Sequence, residues 1–192
     1  MSEQQPDLIT IENVSSVTRS LEGANLSELD LSGMSLDGMW LKNANLQGAK
    51  LANASLQHAF LLGANMFKAD LRNANLYDSK LINAKIGMTQ FQGANLSHSR
   101  ILLSDLEMAN LEGANLMGAD LTFTLLSNAN LQNADLRAAH LAASNNLDGA
   151  NLICAIFDKN TTWPEGFNPQ AAGALPGKDM SFINSDTEEK YR

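Results

Sequence analysis

The chain has 192 residues, a length that suits one domain, and carries 13 Lys and Arg against 21 Asp and Glu for a formal charge of −8. An acidic balance of this kind argues against nonspecific binding to nucleic acid or to anionic membrane surfaces, both of which select basic patches. The single cysteine, Cys154, excludes an internal disulfide and fits a reducing compartment, and no stretch approaches the roughly 20 apolar residues of a membrane span.

The N-terminus, Met-Ser-Glu-Gln-Gln-Pro-Asp, is acidic and lacks the basic-then-apolar run of a secretory signal. With the cysteine usage, this points to a cytoplasmic protein. Residues 1–19 are expected to form an N-terminal cap or tail, with Leu8, Ile9, Ile11, Val14 and Val17 as its available apolar material.

From Leu21 to Leu141 every fifth residue is apolar, at all 25 positions; 21 are Leu and the others are Met66, Ile86, Phe91 and Ile101. An α-helix, at about 100° per residue, would smear this period around its whole circumference. A flat strand would send successive leucines to opposite faces. The chain must therefore turn a corner every five residues so that each Leu enters one continuous interior, which is a solenoid. The residue two before the central Leu is Ala at 16 of the 25 steps, with Ser79, Thr89, Ser99, Ser104 and Thr124 in the same role. The residue just before it is Asn or Asp at 13 steps, suited to bonding nearby backbone at corners and to forming ladders between coils. Gly23, Gly48, Gly63, Gly93 and Gly113 fall two residues after Leu, where a positive φ can be adopted.

The consensus Ala-Asn/Asp-Leu-x-x, with Gly-Ala-Asn-Leu at 23–26, 93–96, 113–116 and 149–152, closely resembles the pentapeptide-repeat family. The resemblance implies an all-β fold: a right-handed, quadrilateral parallel β-helix with four pentapeptides to a coil. Residues 20–157 would form it, in about seven coils, as a rod ~30–35 Å long at about 4.8 Å per coil. The period breaks once, because Leu141 to Leu147 is six residues, so Ala142–Asn146 is expected to carry a bulge or short loop. Residues 158–175 are expected to form a C-terminal cap. In it Trp163, Pro164 and Phe167 cover the last coil, Asn168 N-caps a short helix, Pro169 occupies its first turn and Gly173 ends it. The string Trp-Pro-x-Gly-Phe-Asn-Pro-x-Ala-Ala-Gly also resembles the ending of cyanobacterial members of the family. Residues 176–192, polar and charged, are expected to be a mobile tail.

On such a rod residues twenty apart stack. The face built on Leu21, Leu41, Leu61, Leu81, Ile101 and Leu121 carries Trp40, Phe60, Leu62, Ile82, Leu102, Leu103 and Phe123 on its outer side, and the next face adds Phe67, Met88, Met108 and Leu125. The face built on Leu31, Leu51 and Leu71 shows Lys50, Asp70, Arg72 and Gln92 instead. An apolar surface of this extent points to an interface with a protein partner or a second copy; packing along its own column, or cover by a terminal segment, would also account for it.

His58, Asp78 and His98 share one outward column, beside Gln57, Tyr77 and Ser97, and are candidate ligands for a divalent cation. His140 stands apart. Cys154 has no His near it in sequence and reads as a packed thiol. The chain contains no phosphate-cradling glycine loop, no recognisable nucleophile triad and no paired-cysteine zinc pattern, so no cofactor and no catalytic residue are assigned. The expectation is a non-catalytic interaction or scaffold module. The alternative implied by the resemblance is an acidic DNA mimic that binds a type II topoisomerase, as gyrase-protecting members do. Residues 20–157 hold 12 acids and 8 bases, and this dispersal of Lys and Arg counts against a DNA surrogate.

Overall fold

The computed structural model describes residues 19–143 and 147–177. The N-terminal cap expected from Leu8 to Val17, residues 144–146 of the expected bulge and residues 178–192 of the expected tail lie outside the described residues.

Each five-residue unit forms one side of a coil, and backbone hydrogen bonds tie it to the coils before and after it. In the first unit the Ala24 N–H donates to the Leu21 carbonyl at 3.1 Å, closing a turn whose third residue, Gly23, has φ 68°. That is the type II pattern. Leu21 and Gly23 donate forward to the carbonyls of Trp40 and Lys42 on the next coil, at 2.7 and 2.8 Å, while Asn45 donates backward to Ala24 at 2.9 Å. In the next unit the Ser27 N–H is taken by the Asn25 side chain at 3.3 Å. With these bonds repeated from coil to coil, a chain with almost no extended strand still forms a continuous ladder. The pairings Ser20↔Trp40, Asn25↔Asn45, Asp30↔Lys50 and Ser35↔Ser55 are all parallel and twenty residues apart, so four units close each coil. Asn side chains add a second ladder outside: Asn65 donates to Asn45 and Asn45 to Asn25, each at 3.1 Å.

Two residues per unit point inward. Leu41, Leu46, Leu51 and Leu56, with Ala44, Ala49, Ala54 and Ala59 between them, are all buried. The slot occupied by Ala also takes hydroxyls; four of its five find a carbonyl, whereas the buried Ser79 hydroxyl has no partner among the described residues. Ser99 donates to Leu96 and Thr124 to Leu121 within the unit at 2.6 Å, and Thr89 reaches Met66 on the preceding coil at 2.7 Å. In the first described coil the same slot holds Leu29, Met34 and Met39, whose greater bulk packs against the end of the core.

The pairing interval lengthens twice. Asp120↔His140 spans twenty residues, Asn130↔Asn151 spans 21, and His140↔Thr162 spans 22. The first gain falls where the six-residue step places it. The second is a tight turn at 158–161, organised by the Asp158 carboxylate, which accepts from the N–H groups of Ala138, Asn160 and Thr161 at 2.9, 3.0 and 3.1 Å. Burial raises the Asp158 carboxyl, but these N–H groups and the Thr161 hydroxyl outweigh it and hold the group below its ordinary value. A carboxyl lowered in the fold stabilises it above the unfolded-state value and loses that contribution as pH falls through the folded value. Acidification below about pH 4 is therefore expected to loosen this turn. In thermal melts from neutral to strongly acidic pH, Asp158→Asn should show a shallower acid decline than wild type; equal slopes would exclude the assignment.

Beyond the turn Thr162 pairs with His140, which brings Trp163 into the Leu141 column, one side further than Phe157. Trp163 meets Phe157 edge-on at 5.9 Å and stacks on Phe167 at 5.3 Å, and all three pack against the core. The expected helical cap is a single capped turn. Asn168 does accept from the Ala171 N–H at 3.1 Å, as an N-cap. Gly173 (φ 91°) then donates to Gln170 and Ala174 to Pro169, a Schellman closure that arrives before any helix has formed. The chain returns as β2 (Leu175–Pro176), parallel to β1 (Ile156–Phe157), so the ordered cap runs past residue 175 to Gly177. Pro176 pairs with Phe157 and thus occupies the central position of its unit, the one whose N–H elsewhere donates forward.

Candidate functional site

The residues expected to form an apolar surface do lie together. Trp40, Phe60 and Lys80 succeed one another in one bridged column. The Trp40 and Phe60 rings stack at 4.8 Å, and the Lys80 ammonium sits 4.3 Å from the centre of the Phe60 ring. Leu62, Ile82 and Leu102 form the column across the inward leucines, each half-buried by its neighbours. Leu103 and Phe123 project at the adjoining corner, 55% and 53% exposed.

That corner is the positive-φ position of the turn. Asn and Gly occupy it at most other steps, yet here it carries Met88, Leu103, Met108 and Phe123, with φ between 54° and 60°. A left-handed backbone is unfavourable for large apolar side chains, and holding one there costs on the order of 1 kcal/mol or more. All four lie on the two apolar faces.

His58, Asp78 and His98 share their column, but they do not converge. His58 Nδ1 lies 2.9 Å from Asp78 Oδ2, whereas the His98 ring lies over Gly118 on the next coil, its Nδ1 2.8 Å from where a glycine Cβ would stand. Corner side chains lean toward the following coil: Asn43 covers Gly63 and Asn73 covers Gly93 in the same way. His98 accordingly turns away from Asp78, and Tyr77 fills the space between the imidazoles, 5.6 and 5.7 Å from them. Among the described residues no group of three or more His, Cys, Asp or Glu could hold a metal ion, so the cation-site expectation is corrected to a hydrogen-bonded pair with aromatic packing.

Other charged groups serve the ladders. Asp70 accepts from Arg72 Nε and Nη2 at 2.8 and 2.6 Å, and this bonding holds its carboxyl below the ordinary value. Asp135 is bound by Arg137 likewise. A cleft of about 480 Å³ opens at the C-terminal end beside Trp163, Pro169 and Pro176; the carboxylate at its wall, Asp158, is occupied by backbone. Cys154 is exposed rather than packed, at a positive-φ corner. Sequence reasoning missed a second apolar patch there: Ile153, Ile156 and Leu175, 54%, 37% and 44% exposed. The available signal was Ile153 following Gln132, and Ile156 following Asp135, once the numbering is shifted by the residue gained after Leu141.

No curated protein matches the chain. The family model for pentapeptide repeats matches residues 44–81, 63–98, 74–116 and 104–142, in eight copies. Among solved structures the chain is similar to HetL, a pentapeptide repeat protein involved in heterocyst differentiation regulation from the cyanobacterium Nostoc sp. strain PCC 7120. The two are 24% identical, with 79% of this chain and 94% of that one covered and a TM-score of 0.28. It is similar also to Rfr23 from the cyanobacterium Cyanothece 51142 (25% identity, 76% and 91% covered, TM-score 0.37). A third is QnrB1, a plasmid-mediated fluoroquinolone resistance protein (17% identity, 71% and 84% covered, TM-score 0.37).

Proposed function

We propose that this chain, which belongs to the pentapeptide-repeat family, acts as a non-catalytic interaction module through the apolar side that runs from Trp40 to Phe123. The observation that carries this is the placement of Leu103 and Phe123, with Met88 and Met108 beside them. Each is a large apolar side chain at a left-handed turn position where Asn or Gly would be more stable. An arrangement that lowers stability and raises apolar exposure together is accounted for by contact with something outside the monomer. The cytoplasm remains the compartment we assign, from cysteine usage.

A topoisomerase-binding DNA mimic is the less favoured reading. Lys42 pairs with Glu22 at 2.9 Å, and Asp70 and Asp135 are neutralised by Arg72 and Arg137. A surrogate for the phosphate backbone requires a run of unneutralised anions.

The test is Leu103→Asn with Phe123→Asn. Both residues are more than half exposed, and Asn tolerates the left-handed backbone, so folding stability should hold or rise by about 0.5–1 kcal/mol while association is lost. Chemical denaturation gives the first and solution mass the second. A loss of more than about 2 kcal/mol would mean that these side chains hold the rod together and that the surface is structural.

A further inference from the structure

We propose that the occupant of the apolar side is a second copy of this chain, laid antiparallel. The proposal rests on the interaction-module reading above and adds the partner and its orientation.

Charge on this side supports it. Among the described coils Lys42, Lys50, Arg72 and Arg137 each have an acidic partner. Lys68, Lys80, Lys85 and Arg100 have no ion-pair partner among the described residues, and all four lie on or beside the apolar side. They are also graded along the rod. One bridged column runs Phe60, Lys80, Arg100, Asp120; a second runs Asn65, Lys85, Asp105, Leu125. Cations precede anions in both columns, and the apolar seam of Leu62, Ile82 and Leu102 lies between them.

A surface graded in this way is complementary to its own inverse. A two-fold axis lying in the interface and across the rods lays each column against itself reversed. In the second column the reversal falls between Lys85 and Asp105, so Lys85 meets the partner's Asp105 and Ile82 meets the partner's Leu102. In the first it falls at Arg100, half a rung away, so an axis inclined across the face serves both columns: Lys80 meets the partner's Asp120, and the single like-charge contact is Arg100 against its own copy at the axis. A parallel copy would set Lys80 against Lys85, like charge on like, and Arg100 against Asp105 one rung on, so its repulsions and attractions cancel. From the rung of Trp40 to that of Phe123 is ~20 Å at about 4.8 Å per rung, an interface at the small end of the stable range. A dimer with a micromolar Kd is expected.

Light scattering at about 100 µM should give wild type a mass approaching twice 20.7 kDa, and Ile82→Glu a monomer. Lys85→Glu alone and Asp105→Lys alone should each weaken dimerisation by about tenfold or more, because each sets like charges together at both symmetry-related contacts. An equimolar mixture of these two variants should recover the dimer, since Glu at 85 on one chain then faces Lys at 105 on the other, and Asp faces Lys at the second contact. Within either chain the like charges remain adjacent, so intramolecular relief cannot mimic this recovery. If wild type dimerises and the mixture stays monomeric, the antiparallel pairing is wrong. If wild type is a monomer while Leu103→Asn and Phe123→Asn fold at full stability, the second copy is excluded and the interaction surface stands. If those substitutions unfold the rod, the interaction-module reading falls as well.

Discussion

Leu71→Asp is expected to abolish cooperative folding. Leu71 lies in the inward column between Leu51 and Phe91 and is fully buried. Removing a buried Leu side chain costs about 2–5 kcal/mol, and an unpaired carboxylate in its place adds several more, because no donor in that column is free to receive it. The sum is comparable with the whole stability of an ordinary domain, about 5–15 kcal/mol. Each coil is held only by its two neighbours, so a failure at this rung uncouples the coils on either side. Urea denaturation followed by circular dichroism should show a lost or strongly broadened transition. Asn53→Asp, at an exposed corner with φ 59°, changes the same chain by the same charge and should stay within about 0.5 kcal/mol of wild type. A folded Leu71→Asp protein with an unchanged midpoint would mean that the inward register is wrong.

Phe91 gives the second large effect. It is the bulkiest fully buried side chain and stands where 21 of the 25 repeats have Leu. Phe91→Ala should cost about 3–5 kcal/mol, since a rigid ladder above and below prevents the cavity from collapsing. Phe91→Leu restores the side chain that the repeat accommodates elsewhere and should cost less than about 1.5 kcal/mol. Equal losses in the two variants would show that neighbouring coils are shaped around the ring. Denaturant midpoints at a common slope decide between these outcomes.

What the sequence disclosed follows from how each feature is encoded. The five-residue spacing of Leu21 to Leu141 sets direction directly, because a chain that turns a corner every five residues sends every fifth side chain inward; that four sides close a coil came from the resemblance to the family. The Asn ladders and the residue gained after Leu141 follow from counting. Column membership was legible too, and it gathered Trp40, Phe60, Leu62, Ile82, Leu102, Leu103 and Phe123 on one side. Contacts were not. His58, Asp78 and His98 are evenly spaced in sequence, but the common lean of corner side chains pairs the first two and turns the third onto Gly118. The turn at Asp158 is held by hydrogen bonds to three backbone N–H groups and leaves no periodic trace. Asn168, Pro169 and Gly173 carried correct start and stop signals, but too close together for a helix to lie between them. The graded cations became visible only once distances showed which lysines lack an acidic partner.

A ladder in which every coil offers the same bonds to the next is a template, and a template admits any further strand unless something ends it. Pro176 does so at the side where β2 closes the rod. Its ring nitrogen carries no hydrogen, so the donor that would start another coil at that position is missing. In polymer terms it is a chain terminator: coils above it lack the initiating bond, and growth of this surface into filaments is blocked at that site. Copies of the chain can then assemble sideways without also elongating from this site.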